Sequence, residues 1–84
     1  MEMVAVRIPN DDMKARLIGR DGLTKRTFQE ATGVILVIDD DPDQVFLKSP
    51  DNDKVQFARR VLECMIQDKR FKKEDILEYQ KRMS

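Results

Sequence analysis

Two glycines three positions apart, in Ile18-Gly19-Arg20-Asp21-Gly22, lie between two segments that both carry helical spacing, and no other feature constrains the chain as much. Glycine lacks a Cβ, so the backbone there turns sharply and lets a second backbone come close. A helix starting just after such a turn aims its unpaired N–H groups and positive dipole end outward, which favours an anion such as a phosphate. A nucleic-acid strand is the natural visitor. Two glycines between helices also serve purely conformational ends, so the surroundings must decide.

Upstream, Met3 to Ile8 alternates, with Val4, Val6 and Ile8 on one face, which predicts a half-buried strand ended by Pro9. Asn10 is placed to cap a helix whose first turn holds Asp11 and Asp12 and whose inward stripe is Met13, Leu17 and Ile18. After Gly22 a second helix places Leu23, Thr27, Phe28 and Ala31 at helical spacing, and Thr32-Gly33 stops it. Val34 to Ile38 is an unbroken apolar run that reads as a strand covered on both faces. The turn Asp39 to Asp43 leads to a return strand, Gln44 to Lys48, with Val45 and Leu47 inward. From Lys54 to about Gln67 an amphipathic stripe of Val55, Ala58, Val61, Leu62, Met65 and Ile66 predicts a long helix. A shorter tail helix, about 73–82, carries Ile76, Leu77 and Gln80 and frays near Ser84. Three strands forming one sheet with helices on one face make an α+β domain.

Bulk properties narrow the function. With 84 residues there is room for one small domain, and no apolar run approaches the roughly 20 residues of a membrane span. A single cysteine, Cys64, in a helical pattern excludes an internal disulfide and fits a reducing, cytoplasmic setting. Histidine is absent, which removes the usual general base and the commonest metal ligand. Catalysis by this chain alone is therefore not expected, and no cofactor is implied. The 16 basic and 16 acidic side chains cancel, so nucleic-acid binding must come from a local basic patch and be sensitive to salt.

The order strand, helix, Gly-x-x-Gly, helix, strand, strand, helix resembles the type I K homology (KH) domain, a β-α-α-β-β-α fold whose three-stranded antiparallel sheet packs on helices. The likeness runs from about Val4 to Gln67, and Thr32-Gly33 leading straight into an apolar strand belongs to it. Within that family, the run Ile8 to Lys14, the segment Arg16 to Gly22, then Ile38-Asp39-Asp40 with Pro42, and Ile66-Gln67-Asp68 with the tail helix are similar to the KH domain of ribonuclease Y, a bacterial endoribonuclease. That resemblance implies either a domain cut from a longer protein with a membrane anchor, a coiled coil and a C-terminal HD hydrolase domain, acting in messenger RNA turnover, or a stand-alone relative of that domain. Many KH domains carry isoleucine three residues after the second glycine; Lys25 stands there here. Ala15 stands where glycine is frequent.

The resemblance implies a groove between the loop, the start of the second helix and the edge of the Val34 to Ile38 strand. Gly19 and Gly22 would admit the strand's backbone, Arg20 and Lys25 would supply charge, and the N–H groups of Leu23 and Thr24 would lie near phosphates. Arg16 and Arg26 would reach the rim, and Ile18, Ile35 and Val37 would form an apolar floor for bases. Asp21 opposes phosphate, with Arg20 beside it offsetting that. Arg16, Lys25 and Arg26 are equally readable as solvated helix residues, and Ile18, Ile35 and Val37 as plain core; Phe28 is read as packing. The aspartates of 39–43 do not form a calcium loop, since Gln44 and Pro50 stand where glycine and glutamate are required. Expected partners are single-stranded RNA or single-stranded DNA, without membrane contact by this chain, and oligomerisation or protein partners through a parent protein. A protein-interaction or dimerisation module with little RNA affinity is the alternative.

Overall fold

Val6 and Ile8 are buried and Val4 is half-buried, as the alternation requires, and they anchor β1 (Glu2–Arg7). Past Pro9, Asn10 adopts extended dihedrals and its Oδ1 accepts from the Met13 N–H at 3.0 Å. This cap opens α1 (Asp11–Ile18), with Asp11 and Asp12 at the positive end of its dipole. One hydrogen-bonded turn, Arg20–Gly22, leads into α2 (Leu23–Thr32), which Gly33 ends in the left-handed region. Then come β2 (Ile35–Val37), β3 (Gln44–Ser49), α3 (Asn52–Asp68) and α4 (Lys73–Met83). The structure, a computed structural model, describes residues 1–83; the fraying expected at Ser84 lies outside them.

The sheet order is β1-β3-β2, antiparallel throughout, with Leu47 opposite both Val4 and Leu36. Its inner face meets α3, whose buried stripe is Val55, Ala58, Val61, Leu62 and Met65. Phe28 from α2 and Leu17 from α1 complete a continuous core, each such side chain contributing roughly 1.5–3 kcal/mol by leaving water. Asp51 starts α3 by accepting from the N–H groups of Asp53 and Lys54.

Three expectations need correction. The Val34 to Ile38 run is not covered on both faces: β2 holds only Ile35–Val37, and Ile35 is 54% exposed. It is an edge strand whose outer face no helix covers, so alternation buries Val34 and Leu36 and turns Ile35 and Val37 the other way. Ile18 and Leu23 are not on inward stripes, being 41% and 49% exposed, because each sits at a helix end beside the glycine loop. In α4, Ile76 is buried as expected, but the second buried side chain is Tyr79 and not Leu77.

Helix α4 is fastened by polar contacts as well as by Ile76. Gln80 Nε2 donates to the Ala31 carbonyl at 2.9 Å, and the Tyr79 hydroxyl donates to Asp68 Oδ2 at 2.5 Å. Burial first, and then the Asp68 carboxylate, pushes the Tyr79 hydroxyl up from 10.0 to about 12. A raised folded-state value means this contribution to stability is complete below pH 10 and is lost as pH rises toward about 12. Tyr79 is the sole tyrosine, so tyrosinate absorbance reads it alone. The folded chain should titrate near 12 and the denatured chain near 10; a folded-state midpoint near 10 would contradict the burial of Tyr79 and its bond to Asp68.

Candidate nucleic-acid interface

The loop between α1 and α2 is built from backbone conformations that side chains resist. Gly19, which ends α1 through its N–H to the Ala15 carbonyl, has φ 76° and ψ 177°, a region essentially reserved for glycine. Asp21 (φ 55°, ψ 27°) and Gly22 (φ 75°, ψ 14°) are both left-handed. With the Leu23 N–H donating to the Arg20 carbonyl, these dihedrals are those of a type I′ turn, for which Asp-Gly is a favoured pair. Asp21 thus has a conformational reason to be there, and Arg26 Nη2 donates to its carbonyl at 3.3 Å.

Contact with α2 fixes the loop. A Cβ on Gly19 would lie 2.2 Å from Thr24 Oγ1 and 2.8 Å from the Thr24 backbone nitrogen, whereas one on Gly22 would meet nothing within 4 Å. Thr24 Oγ1 in turn donates to the Phe71 carbonyl at 3.1 Å, in the connection between α3 and α4. Arg16 Cζ stands 6.0 Å from the centroid of the Phe71 ring, at the outer reach of a cation–π contact. An open depression of about 910 Å³ lies here, with Arg16, Arg20, Leu23 and Thr24 on one side and Lys69 to Asp75 on the other.

The residues singled out from sequence therefore divide. Arg16, Gly19, Arg20, Asp21, Gly22, Leu23 and Thr24 form or adjoin one surface, with Ile18 exposed at its edge. Lys25 is half-buried in the first turn of α2, and Arg26 is tied to the loop. Ile35 and Val37 are on the outer face of the sheet, where Val37 shares a small hollow with Met3 and Phe46. The middle of the free β2 edge is closed, because the Leu36 N–H donates to Gln29 Oε1 at 3.0 Å. The Leu23 N–H is engaged within the turn, so it is not open to an anion as expected. Phe28 is wholly buried and offers no face for stacking. What sequence reading missed is the connection after α3, although its run Lys69-Arg70-Phe71-Lys72-Lys73 is visibly basic.

The aspartates of 39–43 shape a turn. Asp39 Oδ1 accepts from the Asp41 N–H at 2.9 Å and Asp41 Oδ1 from the Asp43 N–H at 3.0 Å. Lys14 Nζ crosses from α1 to donate to the carbonyls of Asp39 and Asp41. The Asp43 N–H, and next the Gln44 side chain, hold the Asp41 carboxyl below its usual range. Among the described residues no group of three or more His, Cys, Asp or Glu is arranged to hold a metal ion.

The KH domain family profile matches residues 3–64, most of the chain and all of the loop. The chain belongs to the KH domain family. Ribonuclease Y of Fervidobacterium nodosum is 52% identical over 65 residues, 77% of this chain and 13% of that protein. Ribonuclease Y of Opitutus terrae is 43% identical over 77 residues, 92% of this chain and 15% of that protein. The chain thus spans only a small part of the length of these relatives. Among solved structures, Dim2p from Pyrococcus horikoshii OT3 superposes with a TM-score of 0.74 at 26% identity, covering 95% of this chain and 49% of that one. As a KH domain the chain is a nucleic-acid-binding, non-catalytic fold of the kind found in ribonuclease Y-like proteins. Among the described residues no helix is long and apolar enough to cross a membrane.

The two glycines of this KH loop should not be equivalent. Gly22→Ala adds only left-handed strain, about 1 kcal/mol, whereas Gly19→Ala adds the collision with Thr24 and should cost at least about 2 kcal/mol. Urea denaturation of the two variants reads the difference; equal losses would mean that Gly19 does not pack on Thr24.

Proposed function

We propose that this KH domain binds single-stranded RNA without cleaving it, gripping the phosphate backbone with the Gly19 to Gly22 loop. One observation carries the reading: α2 begins at Leu23 with no side-chain cap from Gly22, and Leu23 and Thr24 line the depression that Arg16 and Arg20 flank. An uncapped helix start beside two guanidinium groups suits a phosphate, and loops of this kind in KH domains hold about four nucleotides by their backbone. Gly19 and Gly22 allow close approach, while Thr24 and Lys25 sit in the first turn of α2 where phosphate oxygens would arrive. Ile18 and Leu23, both exposed beside the loop, supply apolar surface for bases. Ile35 and Val37, on the outer sheet face, are left out of this binding surface.

The similarity to ribonuclease Y supports a wider role. The domain would serve as the RNA-binding part of a ribonuclease Y-like endoribonuclease in messenger RNA turnover, with cleavage supplied by a separate HD hydrolase domain. A modest grip suits such a part, since neighbouring domains raise the effective concentration of the strand.

Fluorescence anisotropy with a labelled pyrimidine-rich single strand tests the loop. Arg20→Asp places two carboxylates between the glycines while changing an exposed side chain, so stability should move by no more than about 0.5 kcal/mol. Affinity should fall roughly tenfold and the salt dependence should flatten by about one unit of slope. Unchanged, salt-insensitive binding would refute the loop as the phosphate grip.

A further inference from the structure

We propose that the connection between α3 and α4 together with the first residue of α4, from Lys69 to Lys73, is a second phosphate-binding segment that carries a bound single strand beyond the glycine loop. The inference rests on the nucleic-acid reading above and assigns to the strand a path longer than the loop alone can hold.

Charge is the first argument. Six of the sixteen basic side chains, Arg16, Arg20, Lys69, Arg70, Lys72 and Lys73, line the depression beside the loop, against two carboxylates, Glu74 and Asp75. Asp75 is turned back on its own helix, where Oδ2 accepts from the Lys72 N–H at 3.3 Å. None of the six cations is held in an ion pair among the described residues; the pair Arg82–Glu78 is farther along α4. A neutral chain thus concentrates unpaired positive charge on one surface, which is the footprint of a polyanion.

Placement is the second. Thr24 Oγ1 donates to the Phe71 carbonyl and Arg16 Cζ stands 6.0 Å from the Phe71 ring centroid, so the connection adjoins both the first turn of α2 and the last turn of α1. Phosphates leaving the loop would pass onto Lys69 and Lys72 without crossing an uncharged gap.

Backbone conformation is the third. Lys69 sits at φ 56° and ψ 44°, closing α3 with its N–H and that of Arg70 both directed to the Met65 carbonyl. Glycine is the ordinary residue for that left-handed position, and a lysine there costs about 1 kcal/mol. A cation stands where conformation alone favours glycine, and such strained positions cluster at ligand clamps.

Two substitutions remove charge while favouring the fold. Lys69→Gly relieves the left-handed strain, and Lys72→Ser puts a preferred cap at a residue whose carbonyl already accepts the Ile76 N–H. Anisotropy would use fluorescein-labelled oligouridylates of about four and about ten nucleotides, with Arg20→Asp run in parallel. The double variant should melt no lower than the parent, bind the short strand equally, and bind the long strand five- to tenfold more weakly, with a salt slope reduced by about 1 to 1.5. If Arg20→Asp weakens both strands while the double variant binds the long one as the parent does, the loop reading stands and the extension falls; the basic connection would then face an acidic protein segment instead. If the parent binds neither strand at low salt, both readings fall.

Discussion

Thr24 is where the end of α1, the start of α2 and the connection after α3 meet, and its position depends on Gly19 having no side chain. Its Oγ1 occupies the space that a Cβ on Gly19 would need, and the same atom donates to the Phe71 carbonyl. Any side chain at residue 19 would push α1 and α2 apart or turn Thr24 away from the connection after α3. The exposed start of α2, the guanidinium groups of Arg16 and Arg20 and the lysines after α3 share one surface because of this contact. A steric constraint at one glycine thereby organises an electrostatic site.

Zero net charge is compatible with that site because the acids are used elsewhere. Asp11 and Asp12 sit at the start of α1, Asp51 caps α3, and Asp39 and Asp41 hold the turn before β3. Each of these carboxylates meets backbone N–H groups or a helix dipole, interactions that hold the fold together. The bases are less engaged: Lys14 is pinned in the acidic turn and Arg26 braces the loop, but the cations around the depression are in no ion pair among the described residues. Global balance and local imbalance follow from the same division of labour.

Much of the fold was legible in the sequence because its signals are local. The Asn10 cap, the Gly33 stop and the stripe from Val55 to Met65 each depend on residues within a few positions of one another. The apolar run at Val34 was misread because a strand at the sheet edge and one at its centre look alike until the order β1-β3-β2 is known. Tyr79 was passed over because its burial depends on Asp68 and the end of α3 across a turn. The Asp21-Gly22 pair carried a readable type I′ signal that was overlooked in favour of the acid's charge. Half of the candidate site was visible as glycines and arginines between two helices. The other half lies nearly fifty residues away, and no local pattern in Lys69 to Lys73 says that it will adjoin Thr24.

A backbone amide NMR titration with a pyrimidine-rich single strand of about ten nucleotides tests the account most directly, since it places binding on the surface residue by residue. Shifts should centre on Arg16 to Lys25 and extend to Lys69 through Lys73, fading as salt is raised. Shifts confined to the outer sheet face around Met3, Ile35 and Phe46, with the glycine loop unmoved, would contradict it.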